Sequence, residues 1–115
     1  MREQIRDKGR LEHILKATDF ILRHTKGITF EEFDADELRY FAVIKNLEII
    51  GEASYKLTKE FIAAHPEIKW KLIIGLRHVL VHGYYQIENI LAWEIVQKDL
   101  VPLQKQIKEI YENME

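Results

Sequence analysis

Apolar side chains recur at helical spacing from the first quarter of the chain onward. Between about residues 7 and 25 they repeat at steps of three and four, the spacing of one face of an amphipathic helix. The residues on this face are Leu11, Ile14, Leu15, Thr18 and Leu22. Gly27 follows at a position suited to end the helix. The pattern therefore predicts a first helix with one buried face.

The second predicted helix, which Asp36 can cap, has too many apolar residues for a single buried face. They are Leu38, Phe41, Ala42, Ile44, Leu47, Ile49, Ile50, Ala53 and Leu57. We expect this helix to be packed on two sides, and its surplus apolar surface favours a dimer. Gly51 within it costs about 1 kcal/mol relative to alanine. It suits either the close approach of another helix or subunit, or a simple kink.

A short helix and a longer one are predicted in the middle of the chain. The short helix, from Thr58 to Ala64, ends at His65 because the residue before a proline is pushed out of the helical region. The longer one runs from about Trp70 to Gly83, where apolar residues keep helical spacing. Its last residues, VLVHGYY, could also form a strand. Since no partner strand is predicted elsewhere, we expect a helix.

The last predicted helix begins near Asn89. Its apolar residues again follow steps of three and four, at Trp93, Val96, Leu100, Leu103, Ile107 and Ile110. Pro102 should kink this helix because it lacks the N–H of the helical ladder. The stretches KGITFEEFDAD and AHPEIKW have the composition of loops. Four main helices plus the short one predict an all-α, up-and-down helical bundle that occupies residues 1–115 as one domain.

Composition and charge limit the functions open to this bundle. Apolar residues at 47% and charged residues at 31% are typical of a globular protein. The net charge of -2 argues against non-specific phosphate binding as the main activity, so any contact with nucleic acid must be local. The absence of cysteine excludes disulfides and thiolate metal sites and favours the cytoplasm. No signal peptide or membrane span is predicted.

The stretch RHVLVHGY contains the chemically reactive side chains. Helical spacing places an arginine, two histidines and two tyrosines on one face: Arg77, His78, His82, Tyr84 and Tyr85. Arginine has a donor fork that fits phosphate, and histidine exchanges protons near neutral pH. With no acidic cluster to hold Mg²⁺, we expect His82 to take the proton of a ribose 2′-hydroxyl and Arg77 to stabilise the transition state, without a metal or cofactor.

Two simpler interpretations of these residues remain open at this point. An arginine and a histidine five residues apart occur often by chance, and such side chains at helix ends usually make structural hydrogen bonds. His78 and His82, four residues apart, also resemble helical zinc ligands. However, HVLVH lacks the glutamate of the H-E-x-x-H motif, and no third ligand is evident.

The order of motifs resembles that of the HEPN superfamily, specifically the HepT-like toxins encoded beside a minimal nucleotidyltransferase antitoxin. Their signature, Arg-x4-His-x-Tyr, matches Arg77, His82 and Tyr84. The stretches RLEHILKATDFI, AVIKNLEIIGEASYKL and LAWEIVQKDLVPL extend the resemblance over most of the chain. It implies a helical bundle that forms a homodimer, with two motifs facing one cleft, and a metal-independent endoribonuclease that cleaves RNA with Arg77 and His82 as catalytic residues.

The resemblance also implies a partner. In the family the nucleotidyltransferase antitoxin transfers adenylyl groups from ATP to the motif tyrosine, which corresponds to Tyr84, and the added phosphate and bulk would block RNA. Here His78 replaces the Asn or Asp that commonly follows the motif arginine, and with Tyr85 we expect it to line the cleft. Glu52 matches a family segment and could orient Arg77 or line the cleft, or could equally be a plain solvated glutamate.

An alternative function and a geometric constraint accompany this interpretation. HEPN domains include non-catalytic modules that bind nucleotides or proteins, so the polar cleft could instead receive the nucleotidyltransferase and ATP.

Arg77 and His82 lie roughly 140° apart around a straight helix. They can meet at one phosphate only if the chain bends at Gly83 or if a second subunit completes the site.

Overall fold

The computed structural model describes the backbone of residues 2–83 and 89–114, and the side chains of residues 6–78, 80 and 89–114. Within these ranges all regular structure is helical, which confirms the predicted all-α bundle. The helices are α1 (Arg2–Thr25), α2 (Phe30–Ala35), α3 (Glu37–Tyr55), α4 (Lys59–Ala64), α5 (Trp70–Gly83), α6 (Asn89–Lys98) and α7 (Leu100–Glu112). None of the helices in the described ranges has the length and apolar character needed to cross a membrane.

Helix α1 packs against α3 on one side and α7 on the other. Its predicted apolar face is confirmed, since Leu11 and Ile14 are fully buried in the core. Leu15 and Leu22, at the edge of that face, are partly buried against the core. Gly27, with φ of +77°, follows the helix in the left-handed conformation that glycine adopts readily. The local pattern therefore determines both the buried face and the end of this helix.

Helix α3 is packed on two sides, by α1 and α5, as its wide apolar arc predicted. Its buried residues are Val43, Ile44, Leu47, Ile50, Gly51, Ala53 and Ser54. The predicted cap is also present, because the Asp36 carboxylate accepts a hydrogen bond from the Arg39 backbone N–H at 3.0 Å. Between the two packed sides, a stripe that includes Leu38 and Phe41 remains exposed.

The loop predicted for KGITFEEFDAD is wrong, since Phe30–Ala35 forms helix α2. Thr29 and Glu32 make a reciprocal capping box, in which each side chain accepts a hydrogen bond from the other's backbone N–H. Phe33 anchors the short helix in the core, with its ring 5.3 Å from that of Trp93 on α6. Capping and one buried aromatic ring therefore order a segment whose composition is typical of a loop.

The single kinked helix predicted after Asn89 is also wrong. The helical ladder of α6 ends at Asp99, and α7 begins at Leu100. Pro102 lies in the first turn of α7, where backbone N–H groups have no helical partner in any case. The proline therefore costs no hydrogen bond, and the two helices are separated at Asp99, three residues before it.

The start of α1 is fixed to the segment that joins α3 to α4. Asp7, only 4% exposed, accepts hydrogen bonds from the Thr58 N–H at 2.9 Å and the Thr58 hydroxyl at 2.7 Å. The same hydroxyl accepts from the Phe61 N–H and caps α4. One turn later, Arg10 Nε donates to the Lys56 carbonyl at 2.9 Å. These contacts hold the C-terminal end of α3, which carries the site described next.

Candidate active site at the α3–α5 contact

Arg77 lies on the side of α5 that packs against α3, directly over Gly51. A Cβ atom added to Gly51 would collide with the Arg77 Cβ and would lie 3.0 Å from the Arg77 Cα. Only glycine therefore allows the two helices to approach this closely. Of the two interpretations of Gly51, the close approach of another helix is the one found.

The side chain of Arg77 is anchored by Glu52, the neighbour of Gly51. Arg77 Nε donates to Glu52 Oε2 at 2.5 Å, and the Lys56 ammonium lies 3.2 Å from Glu52 Oε1. The hydrogen bond from Arg77, and then that from Lys56, lowers the pKa of the Glu52 carboxyl below its usual range. Glu52 is therefore an ionised partner of Arg77 rather than a plain solvated glutamate.

Tyr55, one helical turn after Glu52, provides a second contact for Arg77. The guanidinium carbon lies 4.7 Å from the centre of the Tyr55 ring, within the range of a cation–π interaction. Tyr55 is 57% exposed, so this stack lies at the surface. Among the described residues the guanidinium makes no hydrogen bond other than that from Nε to Glu52. The sequence gives a signal for Tyr55 only through its position one turn after Glu52.

The other predicted site residues are described only in part. His78 is exposed on α5, next to Arg77. The backbone of His82 belongs to α5, but its side chain lies outside the described residues, as do Tyr84 and Tyr85 altogether. The structure therefore brings Arg77 together with Glu52, Lys56 and Tyr55, and leaves the roles of the histidines and tyrosines as predictions.

Helix α5 is continuous from Trp70 to Gly83. The strand considered for VLVHGYY is therefore excluded up to Gly83. On this one unbroken helix, the backbone positions of Arg77 and His82 lie roughly 140° apart around the helix axis. The helix is not interrupted between Arg77 and His82.

Comparison with known proteins places the chain in a family. A family model described as ribonuclease HepT-like matches residues 14–110. The chain belongs to the HepT-like ribonuclease family. "Putative RNase TTE0752" of Caldanaerobacter subterraneus subsp. tengcongensis is 43% identical over 100 residues, covering 87% of this chain and 89% of that protein. "Probable ribonuclease HepT" of Thermococcus cleftensis is 37% identical over 103 residues, covering 90% and 94%. No solved structure matches the chain.

Within this HepT-like chain, the surroundings of Arg77 suit the binding of a phosphate group. Because Glu52 takes the Nε–H, the two Nη groups remain as the fork that arginine offers to phosphate oxygens. The Tyr55 ring limits the movement of the guanidinium plane. Across the described residues, no three side chains of His, Asp or Glu lie close enough together to hold a metal ion.

Proposed function

We propose that the chain is an endoribonuclease toxin that cleaves RNA through the ribose 2′-hydroxyl without a metal. The observation that carries this proposal is the anchored Arg77, held by Glu52 through Nε and by the Tyr55 ring, which leaves its two Nη groups without a hydrogen-bond partner among the described residues. Membership of the HepT-like ribonuclease family supports the same chemistry. The absence of cysteine favours action in the cytoplasm.

In the proposed reaction, His82 removes the proton from the 2′-hydroxyl while the 2′-oxygen forms a bond to the adjacent phosphorus. The bond from phosphorus to the 5′-oxygen breaks, and that oxygen takes up a proton from an imidazolium or from water. The products are a 2′,3′-cyclic phosphate and a 5′-hydroxyl. Arg77 stabilises the extra negative charge on the phosphorus oxygens in the transition state.

We further propose that the working enzyme is a homodimer with one shared cleft. The continuous α5 supports this, because the backbone positions of Arg77 and His82 in one chain lie roughly 140° apart around the helix axis. Exposed apolar side chains on the same two helices, α3 and α5, support it too: Leu38 at 84%, Phe41 at 50% and Leu72 at 67% exposed. A second copy of the chain would cover these residues and supply a histidine opposite Arg77.

Mixing two inactive variants tests the shared site. Arg77→Ala and His82→Ala are each expected to lower the cleavage rate at least about 100-fold. A heterodimer of the two keeps one arginine and one histidine on different chains, so an equimolar, co-refolded mixture should recover activity. A mixture that stays inactive, although mass spectrometry shows the heterodimer, contradicts the shared site. Full activity of both single variants contradicts the ribonuclease mechanism itself.

The alternative function, a non-catalytic module that binds nucleotides or proteins, is separated by one assay. The purified, mass-checked dimer is incubated with single-stranded RNA in the presence of a chelator. The proposed ribonuclease cleaves the RNA and leaves 2′,3′-cyclic phosphate ends. Persistent inactivity of the unmodified dimer would favour the binding module.

We also propose a nucleotidyltransferase antitoxin as the partner, which uses ATP to adenylylate Tyr84. The family membership supports this proposal, and a phosphate-linked adenylyl group beside Arg77 would repel RNA. His78 and Tyr85 are proposed to line the same cleft. Incubation with the antitoxin and ATP should add the mass of AMP to the chain but not to Tyr84→Phe. Mass addition that persists in Tyr84→Phe would place the acceptor elsewhere, with Tyr85 as the first candidate.

A further inference from the structure

An open depression of about 240 Å³ lies between α1 and α3. Two kinds of side chain make up most of its lining: basic groups and an apolar surface. The basic groups are Arg10, His13, Lys45 and Lys56, and the apolar surface is formed by Ile49 and Ala53. Cationic side chains beside an apolar surface match a nucleotide, which combines an anionic phosphate with a flat base.

The depression begins beside Arg77. Glu52 contributes to its lining, and the same carboxylate binds Arg77 Nε. On the α1 side, Arg10 Nε donates to the Lys56 carbonyl. Two arginines therefore lie on either side of the C-terminal turn of α3, each fixed through Nε. Both can direct their Nη groups to phosphates of one passing strand.

The charge around the depression differs in sign from that of the whole chain. Counting Arg77, four permanent cations face two carboxylates, those of Glu48 and Glu52, whereas the whole chain has a net charge of -2. The Lys45–Glu48 pair is long, at 3.7 Å, and the Lys45 side chain is 66% exposed. Exposed pairs of this kind are weak, so a phosphate can compete for the lysine.

We propose that this depression binds the nucleotide adjacent to the scissile phosphate of a single-stranded RNA. Arg10, Lys45 and Lys56 contact the backbone phosphate, and the base lies on Ile49 and Ala53. This subsite rests on the proposed ribonuclease function and extends its substrate contacts beyond Arg77. It also gives the nearly neutral chain a local surface that attracts RNA.

The subsite is tested by RNA binding in a His82→Ala background, which prevents cleavage by the proposed general base. The probe is a fluorescein-labelled single-stranded oligouridylate, and its anisotropy is followed at several salt concentrations with chelator present. Arg10→Gln combined with Lys45→Gln should weaken binding about tenfold. The slope of log K against log salt should become shallower by about 1.4, about 0.7 for each lost phosphate contact.

The matched control removes the same charge elsewhere. Lys105→Gln combined with Lys108→Gln lies on the exposed side of α7 and should leave the affinity and the salt slope unchanged. Because Arg10 also holds a backbone carbonyl, circular dichroism must show an intact helical fold. Lys45→Gln alone tests the subsite without disturbing Arg10, because Lys45 is mostly exposed. It should change the slope of log K against log salt by about half as much as the double variant.

The outcomes separate this inference from the function on which it rests. If wild-type protein cleaves RNA but the Arg10 and Lys45 variants bind as the control does, the subsite is wrong and the ribonuclease stands. If wild-type protein does not cleave, yet these variants still lose RNA affinity, the depression binds RNA, but the ribonuclease function and the place of the subsite beside a scissile phosphate are both wrong. If the variants lose affinity for ATP but not for oligouridylate, the depression serves a free nucleotide and the RNA subsite is overturned.

Discussion

Gly51 on α3 and Arg77 on α5 are so close that no side chain fits between the two helices at this point. The contact lies one residue before Glu52, which holds the Arg77 guanidinium. The position of the proposed catalytic arginine is thus set twice, once by its backbone against Gly51 and once by its side chain on Glu52.

Replacing Gly51 by alanine should therefore harm both stability and activity. The collision with Arg77 should cost about 1–3 kcal/mol, which outweighs the helix propensity gain of about 1 kcal/mol. Gly75→Ala is the matched control, because Gly75 lies on the same α5 with nothing within 4 Å of an added Cβ. It should leave stability unchanged or raise it by up to about 1 kcal/mol. Urea denaturation measures both, and equal stabilities would contradict the close contact.

Glu52→Gln should mainly lower kcat. Glutamine keeps the size of the side chain but loses the charge that fixes Arg77, so the arginine fork is less well placed in the transition state. We expect kcat for RNA cleavage to fall about tenfold, with a smaller change in KM. Glu94→Gln, an exposed position in the middle of α6, is the control and should behave as wild type. A change confined to KM would instead assign Glu52 to substrate binding.

The lowered pKa of Glu52 predicts a pH-dependent contribution to stability. Because the folded-state pKa lies below the unfolded value of about 4.3, the ionised carboxylate stabilises the fold above that pH. This stabilisation is lost as the pH falls through the lowered folded-state pKa. The difference in unfolding free energy between wild type and Glu52→Gln should be constant from neutral pH to about pH 5 and shrink below it.

A second background checks the cause of this pH dependence. The hydrogen bond from Arg77 is the largest contribution to the lowered pKa of Glu52, ahead of that from Lys56. In an Arg77→Gln background, the largest single part of the pH dependence assigned to Glu52 should therefore disappear. If the pH dependence of stability does not change in this background, the lowered pKa of Glu52 is due to Lys56 instead.

Asp7 should be important for stability although it is far from the proposed chemistry. Its buried carboxylate accepts two hydrogen bonds from Thr58, so Asp7→Ala leaves a backbone N–H without its partner. We expect a loss of about 2 kcal/mol in unfolding free energy. Asp19→Ala on the same helix removes an exposed pair with Arg23, 57% and 61% exposed, and should change stability by less than about 0.5 kcal/mol.

Much of the fold could be predicted because its determinants are local. The buried face of α1, the two-sided packing of α3 and the cap at Asp36 all follow from residues within a few turns. Helix α2 was missed although Thr29 and Glu32 have the spacing of a capping box. Its stability also depends on the packing of Phe33 against α6, which lies some 60 residues away in the sequence. A local pattern does not contain that contact.

The site was predictable to a smaller extent. The motif identified Arg77, but its pairing with Glu52 depends on how α3 and α5 pack, since the two residues are 25 positions apart. Sequence reasoning therefore left Glu52 with two possible roles and did not single out Tyr55. Helix geometry alone predicted that Arg77 and His82 of one straight helix cannot meet at one phosphate. This constraint persists because α5 is continuous through Gly83.

The dependence of Arg77 on α3 has a consequence for protein engineering. The segment RHVLVHGY is recognisable by itself, yet the groups that hold its arginine are encoded in the IGEASYK stretch of another helix. Grafting the segment alone into a foreign helical scaffold would transfer the signature without its support. A chimera between relatives should exchange α3 and α5 as one unit, because only together do they carry a preorganised arginine.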